Sequence, residues 1–286
     1  MKRIFLTLLA VVLLLPSCTN TTGLYPKNGR KTVRIVSYNV GIFGKWDLSS
    51  ESYTATLMNE LGADVIALQE LDSCTTRTGP DRFQAKDFAS AMGEDWRHFY
   101  AAALIPYKEG TYGIGEVWNS DRLDMVKCFK VKLPRVVARE DRALAVVEYE
   151  NMVVASTHLN GNPDDVNPSV RLINETLKGL YGETDKPVFL CGDFNARPDN
   201  PAIEYLRTDW NILTPVGATG VGGKNRDLPA PPQTIEEVKG NCIDYIMLLK
   251  NKAEVEVLDS QICFRFETGS PFESSDHLPV FVDVRF

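Results

Sequence analysis

Histidine is scarce in this 286-residue chain: His98, His158 and His277 are all there is. That excludes a zinc centre of the usual kind, which takes three or four His and Cys ligands. None of the six cysteines shows C-x-x-C spacing, so neither a metal ribbon nor a dithiol redox pair is indicated. No apolar run reaches the roughly 18 residues that suggest a transmembrane helix. No tract reads as dense in Lys and Arg, and the chain carries −7, so the electrostatic footprint of tight nucleic-acid binding is missing. A G-x-S-x-G elbow is absent, which removes the commonest serine-hydrolase signature. So is a P-loop, and the glycines Gly220, Gly222 and Gly223 lack the flanking strand and helix of a dinucleotide fingerprint. There is no internal repeat, and the mix of 44% hydrophobic and 24% charged residues is that of a globular domain.

What is present begins with an address. Lys2 and Arg3 precede Ile4 to Leu15, an apolar stretch too short to span a bilayer and suited to a signal-peptide core. It ends in Leu15-Pro16-Ser17-Cys18, which resembles a bacterial lipobox, in which the cysteine is lipidated and becomes the mature N-terminus. Residues 1–18 therefore read as a lipoprotein signal peptide, 19–31 as a polar tether and 32–286 as the folded domain. The expectation is a membrane-anchored protein of the cell envelope, periplasmic or at the cell surface. Export implies an oxidising compartment. With Cys18 modified, Cys74, Cys128, Cys191, Cys242 and Cys263 remain, an odd number that leaves at least one unpaired in a monomer.

Along the domain, apolar strand-like runs repeatedly end in polar residues. Thr32 to Gly41 alternates and ends at Asn39; Asp64 to Glu70 ends in Gln69 and Glu70; Met152 to Leu159 carries His158 at its tip. Val188-Phe189-Leu190-Cys191 stops at Gly192 and presents Asp193 and Asn195. Asp244 sits at the entry of Cys242 to Leu249, and Asp276-His277 precedes the last strand, Val280 to Phe286. Between the second and third of these tips, five strand candidates in succession suggest an antiparallel meander. Helices are expected from Ser49/Ser50 to Gly62, from Phe83 to Met92, after Asn167-Pro168 to about Leu180, and over Ala202 to Arg207. Pro215 to Gly240 reads as a long loop.

Any one polar tip is also an ordinary turn, since Gly, Asp and Asn favour turns for local reasons. Six of them, holding two of the three histidines, point to a site. Glu70, with Asn39 and Asp276, offers hard oxygen ligands of the kind that suit Mg2+ or Mn2+. His277 beside Asp244 would be held in one tautomer and kept largely protonated. Asp193, helped by Asn195, could orient and deprotonate a water while the cation and histidines stabilise charge on phosphoryl oxygens.

The ordered set SYNVG (37–41), ALQEL (67–71), STHLN (156–160), CGDFNARP (191–198), CIDYIML (242–248) and SSDHLPVFVDV (274–284) resembles the endonuclease/exonuclease/phosphatase superfamily. That is the fold family of deoxyribonuclease I, exonuclease III, neutral sphingomyelinases and inositol polyphosphate 5-phosphatases. The resemblance spans essentially 32–286 and implies an α+β fold, a four-layer α/β/β/α sandwich of two packed mixed sheets flanked by helices. Carried over, it implies that Glu70 holds the divalent cation with Asn39 and Asp276 nearby, and that Asp193 and Asn195 orient water and phosphate. It pairs Asp244 with His277 and sets His158 on a phosphate or leaving-group oxygen. Glu109 is a candidate to orient His158, and Arg142 is placed near the site or, equally, as a solvated charge at a strand start. The segment YGIGEVWNSD (112–121) departs from the family's usual form, so Tyr112 and Asn119 receive no role.

The resemblance implies a Mg2+-dependent (or Mn2+-dependent) hydrolase of phosphate esters, a phosphodiesterase or phosphatase. CIDYI and GDFNARP differ from the W-C-D-R and G-D-L-N-Y-R of inositol 5-phosphatases. A lipid- or sugar-linked phosphodiester is favoured over nucleic acid, with the protein a monomer tethered to the membrane by its lipid. The alternatives are an extracellular nuclease and, from another class, a non-catalytic binding lipoprotein on the same fold. The presence of every motif residue argues against the last.

Overall fold

Successive residues of a strand point to opposite faces. In β1 (Val33–Asn39) Ile35 faces one way and Val36 and Tyr38 the other; in β8 (Val188–Asp193) Phe189 and Cys191 oppose Val188 and Leu190. All of these are buried, so both faces of each strand need a cover. In the computed structural model, which describes residues 23–226 and 228–286, that cover takes the form of four layers. The signal-peptide and lipid-attachment readings, Cys18 included, fall outside those residues. Among the described residues no helix is long and apolar enough to cross a membrane, and the five cysteines are all free thiols.

The remaining elements are α1 (Glu51–Leu61), β2 (Val65–Ser73), α2 (Gln84–Met92), β3 (Trp96–Tyr107), β4 (Gly110–Asn119), β5 (Met125–Lys132), β6 (Ala143–Tyr149), β7 (Val153–His158), α3 (Pro163–Tyr181), α4 (Pro201–Leu206), β9 (Trp210–Ile212), β10 (Asp244–Leu249), β11 (Glu256–Ile262), α5 (Pro271–Ser274) and β12 (Val280–Arg285). One six-stranded sheet runs β11-β12-β1-β2-β4-β3 and the other β5-β6-β7-β8-β10-β9. Both are mixed, with β1/β2 and β7/β8 the parallel pairs.

Three apolar layers hold this together. Ile35, Val65, Ala67, Val154, Phe189, Cys191, Ile246 and Val282 interdigitate between the sheets. α1 and α2 cover the outer face of the first sheet through Leu57, Met58, Leu61 and Phe88. α3 and α4 cover the second through Val170, Ile173, Leu177 and Ile203. At roughly 25 cal/mol per Å2 of apolar area, burial of this kind is the main stabilising force. β1 is also tied to β12 by a buried ion pair, Arg34 Nε and Nη2 donating to the two Asp283 oxygens at 2.7 and 2.6 Å. Glu116 on β4 interrupts the inner layer. It is fully buried, no hydrogen bond reaches either of its oxygens, and burial holds its carboxyl well above the usual range.

The five strands read as one meander belong to two sheets: β3 and β4 end one, and β5, β6 and β7 start the other. Turn signals mark where a strand stops, but not whether the next one pairs with it or crosses over. α3 begins five residues before Pro168, with Asn162 as its cap and Pro163 in the first turn. Asn162 Oδ1 accepts from the Asp164 amide at 2.9 Å, so the cap lies upstream. β9, three residues long, is too short to show a period and was not anticipated.

Candidate active site

The alternation that makes the inner layer apolar turns polar toward one edge of the sandwich. Ser37, Gln69 and Ser156 come first, with Gln69 Nε2 donating to Ser156 Oγ across the sheets at 3.1 Å. One step further along the strands stand Asn39, Asp193, His158 and Asp244. β7, β8 and β10 are neighbours, and their register sets His158 beside Asp193 and Asp193 beside Asp244. Opposite them Asn39 donates from Nδ2 to Asp193 Oδ2 at 3.0 Å and to Glu70 Oε1 at 3.3 Å. Strict alternation would turn Glu70 away. A bulge between Leu68 and Leu71, with Glu70 in the left-handed region at φ 58°, aims it back.

His277 arrives from the loop before β12. Its Nδ1 is 3.0 Å from Asp244 Oδ2 and its Nε2 3.7 Å from Asp193 Oδ2. Ser275 fixes this loop by donating to the Asn39 carbonyl at 2.7 Å and accepting from the His277 amide at 3.2 Å. Thr219 Oγ1 accepts from the Ile243 and Asp244 amides, anchoring the start of β10. Gly192 can only be glycine here, since at φ 152° a Cβ would lie 2.1 Å from the Thr157 carbonyl oxygen.

The charges of this cluster depend on one another. Burial and the neighbouring Asp244 push Asp193 up to about 7, against the opposing pull of His277. Burial alone would lower His277, but Asp244 and Asp193 overcome it and raise it to about 10. His158 is driven well below its usual value by burial first, then by Arg142 and His277, so it is neutral at physiological pH. Arg142 Nη1 lies 3.2 Å from His158 Nδ1. Asn195 Nδ2, also a donor, lies 3.2 Å from His158 Nε2, so the neutral ring meets a donor at each nitrogen and can accept from only one of them. His158 Nε2 also lies 3.6 Å from Asp193 Oδ2, on the side of the cleft. Asn195 donates from Nδ2 to the Leu159 carbonyl at 2.9 Å, and its amide N–H donates to Asp193 Oδ1 at 2.9 Å.

The structure thus brings Asn39, Glu70, His158, Asp193, Asn195, Asp244 and His277 to one edge. Asp276 lies next to them, its Oδ2 2.5 Å from Lys45 Nζ. Arg142 lies within the site, against His158. Glu109 lies in the turn between β3 and β4 at φ 67°, and the side chain 3.2 Å from His158 Nδ1 is Arg142. Lys45, Ser275, Thr219 and Tyr112 were passed over. Ser275 lies inside the quoted SSDH motif; nothing in the sequence marks Lys45 or Thr219. Tyr112 is buried near Glu70 and Arg142, and its hydroxyl is raised well above the ordinary value by burial and by Glu70.

Two groups of ligands could receive a cation. Asp193, Asp244 and His277 offer atoms within 4.8 Å of one another, and Asp244 Oδ1 is a buried oxygen with no hydrogen-bond partner. Glu70 with Asn39 and Asp276 forms an all-oxygen set, to which Lys45 already brings a positive charge. Ligation through His277 would need its neutral ring, which Asp244 and Asp193 disfavour, so the oxygen set is the better fit for a hard divalent ion.

A sequence profile described as the Endonuclease/Exonuclease/phosphatase family matches residues 36–277. No curated protein matches the chain by sequence. Among solved structures, an endonuclease/exonuclease/phosphatase from Bacteroides vulgatus is similar at 15% identity and a TM-score of 0.68, covering 90% of this chain and 100% of that one. A mannosyl-6-phosphatase of Bacteroides thetaiotaomicron gives 16% identity, TM-score 0.66, and coverage of 89% and 100%. The human Nocturnin catalytic domain with bound sulfate gives 16%, 0.62, and coverage of 93% and 96%. At such identities the likeness establishes the fold.

Proposed function

We propose, from the premise that the chain belongs to the endonuclease/exonuclease/phosphatase family, that it is a divalent-cation-dependent hydrolase of phosphate esters working at the cell envelope. The observation that carries this reading is the convergence of Asp193, Asp244, His158 and His277 on one another from adjacent strand ends and the loop before β12. Asp193, held near neutrality by its surroundings, takes the proton of an attacking water that Asn195 and Asn39 help to orient. His277, cationic and fixed by Asp244, faces the negative charge that builds on the phosphoryl oxygens. His158 stands at the phosphoryl or leaving-group oxygen, positioned by Arg142 and Asn195. Glu70, Asn39 and Asp276 would hold Mg2+ or Mn2+, which supplies charge neutralisation at the phosphate when bound.

A lipid- or sugar-linked phosphodiester is the preferred substrate. The lipobox-like segment ending at Cys18 supports an envelope setting, and the similarity to a mannosyl-6-phosphatase supports a sugar phosphate. The test uses protein lacking residues 1–18 and bis-p-nitrophenyl phosphate with Mg2+ or Mn2+. Turnover is expected, and both EDTA and His277→Ala should abolish it. No hydrolysis of any mono- or diester with either metal would overturn the reading. Plasmid DNA, assayed in parallel, addresses the nuclease alternative.

A further inference from the structure

The edge strands β3 and β5, one from each sheet, come together beside the site and enclose a cavity of ≈ 220 Å3. Ala102 and Ile105 of β3, Lys130 and Lys132 of β5, and Asp141 and Arg142 before β6 line it. Its charge runs against that of the molecule. Residues 125–142 hold six basic side chains and two acidic ones, in a chain whose net charge is −7. Its lysines and arginines are spaced by other residues along the chain, and three of the six, Lys130, Lys132 and Arg142, line the cavity.

Three features make the cavity more than a basic surface. Lys130 Nζ donates to the Ala102 carbonyl at 2.9 Å, across the mouth between the sheets, which leaves further N–H groups on the ammonium for a ligand. Asp141 spreads its charge over Lys132 and Arg135, each at 3.4 Å, so it does not cancel Lys130. Arg142 belongs to both places: it lines the cavity and places Nη1 3.2 Å from His158 Nδ1. Its other partners are Asn160 Oδ1 at 3.0 Å and Glu140 at 3.1 Å, which fix its plane. An anion in the cavity would therefore stand about one guanidinium's width from His158. Lysines on an edge strand also discourage unwanted strand addition, but that role requires no cavity beside a catalytic histidine.

We propose that this cavity is a subsite for a second anionic group of the substrate, a phosphate or carboxylate, so that the preferred esters carry two anionic groups. The proposal rests on the hydrolase reading above. Charge-assisted contacts to the two lysines would supply the selectivity. Lys130 and Lys132 are specificity residues in this arrangement and take no part in the chemistry.

The experiment compares wild type with the double variant Lys130→Gln/Lys132→Gln, using protein lacking residues 1–18. Calorimetry measures binding of methylphosphonate and of a series of alkane bisphosphonates of increasing length, at fixed Mg2+. Wild type should bind one length about tenfold or more tightly than methylphosphonate, and the double variant should lose that preference. Both proteins should hydrolyse bis-p-nitrophenyl phosphate at the same rate. If wild type hydrolyses this ester but shows no preference for any bisphosphonate, or the double variant retains the preference, the subsite is overturned and the hydrolase stands. Absence of hydrolysis by wild type would remove the hydrolase reading and the subsite with it.

Discussion

Residue by residue, the site is a set of mutually dependent charges, and its pH behaviour follows. Asp193 must be ionised to accept a proton and His277 protonated to face an anion, so kcat/KM should plateau between two limbs. The acid limb lies no higher than about 7, since a bound cation can only lower it, and the alkaline limb lies at about 10. Asp244 raises both groups. Asp244→Asn should therefore move both limbs to lower pH, besides lowering the rate; an unmoved alkaline limb would show that the pair does not set the charge of His277. Glu116 makes a prediction of the opposite kind, on stability. Its folded pKa is raised above the ordinary 4.5, so its contribution is intact below that value and is lost as pH rises toward the folded pKa. The loss is about 1.4 kcal/mol per pH unit across that window. Denaturant midpoints at several pH values should show Glu116→Gln gaining on wild type as pH increases. Neither Glu116 nor Arg142 could be valued from sequence: each sits in a strand context that suits a solvated charge equally well, and only the packing of one sheet on the other decides.

For the elements, the sequence was most legible where period and punctuation agreed. Apolar runs ending in polar residues marked the ends of β1, β7 and β8, because a buried strand stops where polar side chains begin; β2 instead runs on past Glu70 to Ser73 through its bulge. The pairing of strands was less legible, since hydrogen bonds between backbones leave little trace in side-chain order; the break between β4 and β5 is the example. β8 depends on its glycine. Gly192→Ala, which would set a methyl against the Thr157 carbonyl, should cost at least about 2 kcal/mol and most of the activity. Gly179 in α3 has open space around it, and Gly179→Ala should instead stabilise by about 0.5–1 kcal/mol. Urea midpoints of the two variants, displaced in opposite directions, would check both.

Across the whole molecule, the site draws on Asn39 and His277 and on both sheets at once. Refolding from denaturant should thus restore hydrolysis of bis-p-nitrophenyl phosphate in the same kinetic phase as the last tertiary fluorescence change; earlier recovery of activity would show that one sheet suffices. The β1–β12 pairing carries one more consequence. Val33 is opposite Val284 and Ser37 opposite Val280. β1 is synthesised well before β12 and must wait for it before its sheet can close. Until then Arg34 has no Asp283 and the cleft has no His277, so a nascent chain lacks both the buried ion pair that locks the sheet and the histidine that completes the site.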